Sequence, residues 1–176
     1  MRTPLAAALV VLAFVACTGG SGHDLPPSGL GAKLDVSSPA FGPGDPIPVR
    51  FTCDGADAAP PVRWSGAAEG GTLVVLMTDS DAHDFVHWLV YDIPGGASGG
   101  VGGSDGGGIE GKNDFGRNGY GGPCPPHGDA PHHYVITVYE APAGTASPFA
   151  PGESPDEVVP ADPVAQGSVT GTYARR

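Results

Sequence analysis

The chain has 176 residues, with 19 acidic against 8 basic side chains and a formal net charge of −11. That balance serves solubility and excludes nucleic acid or anionic lipid headgroups as bulk electrostatic partners; an anionic ligand would depend on local donors such as histidines, backbone N–H groups and an arginine. Thirty glycines and 20 prolines favour turns and short strands over helices, and the length suits one domain once the ends are set aside.

The N-terminus reads as a targeting segment. Met1-Arg2-Thr3 is a minimal basic start, and the apolar run from Leu5 to Ala16 is too short to span a bilayer but suits a signal-peptide core. Phe14-Val15-Ala16-Cys17 resembles a bacterial lipobox, in which the cysteine is acylated and becomes the first mature residue. The alternative is a soluble secreted protein with a chance cysteine at the cleavage site. Removing Arg2 with the signal takes the charge from −11 to −12. The expected organisation is a signal peptide over 1–16, a lipidated Cys17 with a flexible tether over 17–32, and a folded domain over 33–176.

From there strand signals recur at short spacing: Leu34 to Val36, Ile47 to Thr52, Val62 to Trp64, Thr72 to Thr78, Phe85 to Ile93, Tyr134 to Tyr139 and Val169 to Tyr173. Each is β-branched or aromatic and bounded by Gly, Pro or Asp. Leu73 to Met77 and Val86 to Ile93 carry bulky apolar groups at both parities, which predicts strands covered on both faces. No segment shows a 3.6-residue stripe. The expected class is mainly β: an antiparallel β-sandwich with few short helices.

Two segments break the pattern. Pro94 to Gly108 is low-complexity and reads as a mobile loop; the tail from Ala141 to Asp162 is rich in proline and acid, with at most a helical turn near Pro155 to Val159. Neither is expected to contribute much core. The glycine-rich loop twice satisfies G-x-S-x-G, but a nucleophile elbow needs a strand before the serine and a helix after it, and neither is present. A phosphate loop fails as well, since no Gly-Lys-Ser/Thr opens a helix.

Chemistry-bearing residues gather at the strand ends. Asp79 and Asp81 close the run from Thr72, and His87 opens the next run. His132 and Tyr134 start the strand that follows the proline- and glycine-rich stretch Gly119 to Pro126. Strict alternation puts His132, Tyr134, Ile136 and Val138 on one face, and His87, Leu89 and Tyr91 together on one face of their own strand. An acid beside an imidazole fixes its tautomer and raises its pKa, which makes the ring a donor to an anion, and the tyrosine adds a hydroxyl. The plain alternative is a polar cluster capping strand ends. A metal site competes for the same histidines, yet no H-E-x-x-H or C-x-x-C spacing occurs, so neither metal nor cofactor is expected.

At these residues the sequence resembles a known family. Asp79-Ser80-Asp81-Ala82, Phe85 to Tyr91, Asn113 to Arg117, Gly119 to Pro126 and Pro131 to Tyr134 look like the phosphatidylethanolamine-binding protein family, closest to its bacterial Raf-kinase-inhibitor-like branch. Ser38 to Phe41, Phe51 to Gly55, Pro60 to Ser65 and Gly171 to Tyr173 fit the same pattern, so the resemblance covers about Leu34 to Tyr173. It implies a β-sandwich with a small pocket for phosphate-like groups lined by Asp79, Asp81, His87, Pro126, His132 and Tyr134. The family's Asp-Pro-Asp is here Asp79-Ser80-Asp81, and Pro155, Pro160 and Pro163 break its C-terminal helix.

The resulting expectation is a lipid-anchored, extracytoplasmic protein of a bacterial envelope that binds a small anionic or phosphorylated ligand and does no chemistry. The alternatives are a protein-facing regulator of the protease- or kinase-inhibitor kind and a hydrolase using His87 with an aspartate as general base. With Cys17 taken by lipid, Cys53 and Cys124 remain, an even number in an oxidising compartment, and a disulfide between them would pin the Gly119 to Pro126 loop.

Overall fold

The β-branched and aromatic runs assemble into two stacked sheets. The structure, a computed structural model, describes residues 31–96, 98–103, 107–143, 145 and 150–176; the expected signal peptide, Cys17 and the tether as far as residue 30 lie outside them. The strands are β1 (Ala32–Lys33), β2 (Asp35–Ser37), β3 (Val62–Ser65), β4 (Thr72–Asp79), β5 (Phe85–Pro94), β6 (Ser98–Val101), β7 (Ile109–Glu110), β8 (His132–Ala141) and β9 (Ala165–Tyr173), with one short helix, α1 (Pro155–Val158). The larger sheet runs in the order β1-β9-β8-β4-β5-β7 and the smaller β2-β3-β6; every pairing is antiparallel except β1 with β9.

Strands β4 and β5 are both flanked by other strands and covered on both faces, as their uninterrupted apolar sequences require. Between the sheets Val75, Met77, Trp88, Val90, Tyr134, Ile136 and Val138 pack against Val62, Trp64 and Val101. On the opposite face Val74, Leu76, Val86, Leu89, Tyr91 and Tyr139 pack beneath Val158 of α1. The segment carrying α1 is strapped down by the Tyr91 hydroxyl, which donates to the Ala150 carbonyl.

Three expectations change. The run from Ile47 to Thr52 is not a strand: Val49–Phe51 forms a 3₁₀ turn closed by the Thr52 hydroxyl on the Val49 carbonyl at 2.9 Å. Pro46 and Pro48 remove the amide donors that a ladder would need there. The glycine-rich stretch is not merely a loop, because Ser98–Val101 pairs with β3 and buries Val101 at 4% exposure. Glycine is required at Gly99, where a Cβ would lie 2.5 Å from Cζ2 of Trp64. The tail also adds to the core, through Pro155 and Val158 beneath its single helical turn. At the edge of the larger sheet Ala32 pairs with Ala165.

Two irregularities interrupt the β4–β5 ladder, and one positions the site. Met77 pairs with Trp88 while Thr78 pairs with Val86, so His87 is an extra residue opposite one step of β4. Such a bulge rotates the chain and re-aims a side chain. Val86 and Leu89 consequently share the outer face, whereas His87 meets Tyr134 of the inner cluster at 5.1 Å between ring centroids. The expected grouping of His87 with Leu89 and Tyr91 therefore fails, because alternation does not survive the inserted residue.

Leu89, fully buried in β5, tests this arrangement. Leu89→Ala should lower unfolding stability by about 2–5 kcal/mol, while Val49→Ala, at a residue 54% exposed, should leave it within about 0.5 kcal/mol; urea unfolding followed by tryptophan fluorescence measures both.

Candidate ligand-binding site

The site forms where β4, β5 and β8 end together. Asp79, the last residue of β4, pairs with Tyr134 on one side and Phe85 on the other. Directly opposed residues share a face, and His132 lies two residues before Tyr134, so both point the same way as Asp79. The Asp79 carboxylate accepts from His132 Nδ1 at 2.7 Å through one oxygen and from the Asp81 amide at 3.0 Å through the other. It is thereby fully engaged, and it fixes the His132 tautomer with Nδ1 as the donor. The His132 and Tyr134 rings stack with centroids 6.5 Å apart.

His87 is held by backbone rather than by acid. Its Nδ1–H donates to the Gly121 carbonyl at 2.6 Å while the Gly121 amide donates to the His87 carbonyl at 2.9 Å. Burial holds its pKa below the ordinary 6.5, against the opposing pull of the Gly121 carbonyl and the Asp79 charge. His87 is accordingly neutral at neutral pH, with a lone pair on Nε2. The expectation that an aspartate orients it and that it serves as a charged donor is corrected here.

The remaining expected residues divide. Tyr134 has no exposed surface, and its hydroxyl meets no hydrogen-bond partner among the described residues. Burial and then the Asp79 charge push its pKa far above the ordinary phenol value. Asp81 sits outside this group: it accepts from the His133 amide at 2.7 Å and from His133 Nδ1 at 2.9 Å, at an exposed turn. Its carboxyl is held below the usual range, first by that amide. Pro126 is exposed in the adjoining loop, where its carbonyl accepts from the Asp129 amide at 3.4 Å.

Several contributors escaped sequence reasoning. Asn113, 2% exposed, ties up its own loop, accepting from the Phe115 amide at 3.1 Å and donating to the Gly119 carbonyl at 2.8 Å. Asp114 accepts from the Val86 amide at 2.7 Å, beside the bulge. Phe85 and Phe115 meet each other and the His87 ring edge-on, forming an aromatic border on which Phe115 is 45% exposed. Asp57 holds the loop from the far side, taking the Gly122 amide at 2.6 Å and Arg117 at 3.0 Å. Phe85, Asn113, Asp114 and Phe115 lie in the quoted motifs, though with no role assigned there; Asp57 lies in none and reaches the loop by a contact distant in sequence.

The disulfide is present. Cys53 and Cys124 are bonded with Cα atoms 5.4 Å apart, and the Cys53 amide donates to the Pro123 carbonyl at 3.1 Å. It fastens the Gly119 to Pro126 loop to the end of the 3₁₀ turn, two residues from the amide that Asp57 holds.

Known proteins share this sequence pattern and this fold. A sequence profile described as phosphatidylethanolamine-binding protein matches residues 37–174. A UPF0098 protein of Mycobacterium bovis is 42% identical over 153 residues, covering 86% of this chain and 76% of its own. LppC of Mycobacterium tuberculosis, named as a candidate lipoprotein, is 37% identical over 193 residues, covering 98% of this chain and 96% of its own. The crystal structure of E. coli YbcL, described as a member of the mammalian PEBP family, matches with a TM-score of 0.70 at 28% identity, covering 82% of this chain and 100% of YbcL. Fold and cluster together define a β-sandwich of the PEBP class. The chain belongs to the phosphatidylethanolamine-binding protein family.

The lowered His87 pKa has a thermodynamic consequence. Below the ordinary value of 6.5 the unfolded chain takes up a proton that the folded protein declines, so stability falls as pH drops through that value toward the folded pKa. His87→Asn, which removes the titrating ring, should flatten this acid limb. Urea midpoints recorded from neutral pH to about pH 5, above the carboxylate range, measure it; an unchanged slope in the variant would contradict a buried neutral His87.

Proposed function

We propose that the Asp79–His87–His132–Tyr134 cluster binds a small phosphate-bearing ligand of the phospholipid-headgroup kind and performs no chemistry on it. The observation that carries this reading is the Tyr134 hydroxyl, a buried donor with no partner among the described residues. Buried polar groups are nearly always satisfied, so a donor left open beside two imidazoles reads as one reserved for a ligand oxygen. The His87 Nε2 lone pair complements it by accepting from a P–OH or an ammonium.

The same electrostatics select the ligand's charge state. Asp79, Asp81, Asp114 and Asp129 surround the cluster, and a dianion would meet repulsion from them. A monoanionic phosphodiester, a singly protonated phosphate or a zwitterion such as phosphoethanolamine suits the site better. Binding without turnover is supported by Ser80, the adjacent hydroxyl, which donates to the His133 carbonyl at 3.2 Å and so has no general base.

The family name of this chain and the likeness to LppC support the same placement. Acylation at Cys17 would put the anchor only 15 positions before Ala32, the first paired residue. The domain would stay close to the membrane that carries the headgroups, outside the cytoplasm of a bacterial cell.

Tyr134→Phe separates binding from folding. Removing an unsatisfied buried hydroxyl should leave stability unchanged or slightly raised, while affinity for phosphoethanolamine falls about tenfold or more, as read by titration calorimetry at neutral pH. Equal affinity in the two proteins would refute the site. For the anchor, Cys17→Ser should move the protein from the detergent phase to the aqueous phase on phase partitioning, since stable membrane binding needs more than one acyl chain; an intact mass showing an unmodified Cys17 in the native protein would refute acylation.

A further inference from the structure

We infer that Asp129 determines which phosphate esters the Asp79–His87–His132–Tyr134 cluster accepts, and that it selects those carrying an N–H-bearing ammonium. This selectivity rests on the headgroup reading above and adds to it the residue that reads the cationic end of the ligand. Four carboxylates border the cluster, and three of them are engaged. Asp79 accepts from His132 Nδ1 and the Asp81 amide, Asp81 from the His133 amide and ring, and Asp114 from the Val86 amide. Asp129 differs. Its carboxylate accepts no hydrogen bond among the described residues, and it faces His132 Nε2 at 3.9 Å, beyond hydrogen-bond reach. Its backbone is nonetheless held in place, with the Asp129 amide on the Pro126 carbonyl at 3.4 Å and the preceding Gly128 amide on the Arg175 carbonyl at 3.2 Å.

Asp79 holds the His132 proton on Nδ1, so in the neutral ring Nε2 presents a lone pair. Two acceptors, an imidazole nitrogen and a carboxylate oxygen, thus stand 3.9 Å apart. A nitrogen about 2.8 Å from each would satisfy both, provided it carries at least two N–H groups. A primary ammonium has three such donors and a positive charge. A trimethylammonium has the charge without a donor, and a methyl group has neither. Depth sets the orientation of the ligand: Tyr134 is fully buried, whereas the His132 and Asp129 side chains are 15% and 53% exposed. The phosphate therefore enters first, toward the Tyr134 hydroxyl, and the ammonium stays at the mouth between His132 and Asp129. In a cluster already crowded with acids, this last carboxylate opposes a plain phosphate and attracts a zwitterion, so it sets the direction of discrimination.

Titration calorimetry at neutral pH with phosphoethanolamine, phosphocholine and propyl phosphate tests this, the last having a methyl group where phosphoethanolamine has its ammonium. The unsubstituted protein should bind phosphoethanolamine about tenfold more tightly than either of the others. Asp129→Asn, an isosteric change at an exposed side chain, should leave the melting temperature unchanged. It should weaken phosphoethanolamine about tenfold and leave propyl phosphate as tight or tighter, so that the preference disappears. Tyr134→Phe should weaken all three esters alike, because it acts on the phosphate they share. No binding of any ester, or indifference to Tyr134→Phe, overturns the headgroup reading and the selectivity with it. Where Tyr134→Phe does weaken all three, equal affinities in the unsubstituted protein, or a preference that survives Asp129→Asn, overturn the role of Asp129 alone.

Discussion

The buried hydrogen bond from His87 Nδ1–H to the Gly121 carbonyl, 2.6 Å long, joins the bulge of β5 to the loop that walls the site, and much else follows from it. An extra residue in a strand leaves ladder groups unpaired, which is costly in a core. Here the displaced groups are satisfied from one direction: Gly121 takes the ring and donates to the His87 carbonyl, while Asp114 takes the Val86 amide. The bulge persists because the loop completes it. The loop in turn is ordered because the bulge offers it partners.

The loop could not hold that geometry unaided, since Gly119, Gly121 and Gly122 carry a large conformational entropy. Three restraints act from the N-terminal half of the domain. Asp57 captures the Gly122 amide, the Phe51 carbonyl captures the Tyr120 hydroxyl, and Cys53 is bonded to Cys124. Closing a loop of that separation, 71 residues, removes unfolded-state freedom equivalent to roughly 4 kcal/mol in the chain-entropy description. The same short stretch, from Arg50 to Ala59, forms a wall of an arginine-lined cavity. One segment thus buttresses the loop through backbone and disulfide contacts and borders that cavity with its side chains.

Charge is distributed to the same end. Carboxylates crowd the end of the large sheet, and they act there as fixed acceptors: Asp79 for His132, Asp81 for His133, Asp114 for Val86. Their contribution is orientation, and it limits how much negative charge a ligand can bring. The Tyr134 hydroxyl, without a hydrogen-bond partner among the described residues, and the neutral ring of His87 offer one donor and one acceptor side by side.

The sequence by itself determined the family, the β class, the doubly covered central strands and the disulfide partners. The family rests on the resemblance of its ordered motifs, and the other three on composition, on parity along a strand and on counting, all of which are local. The family resemblance gathered Asp79, His132 and Tyr134 into one pocket, while the residues alone set Asp79 against His87; the pairing of β4 with β8 is what brings Asp79 beside Tyr134. Tertiary structure decided what parity could not reach. The inserted residue that swings His87 away from Leu89 exists only in the pairing with β4, and a single chain carries no mark of where a ladder slips. The partition of Asp79 toward His132 and of Asp81 toward His133 depends on which side of a sheet edge each carboxylate leaves. The strand within Ser98–Val101 forms because Trp64 needs a flat neighbour, which glycine supplies. His87 is neutral rather than charged because burial, a property of the assembled layers, outweighs the attraction of nearby acids.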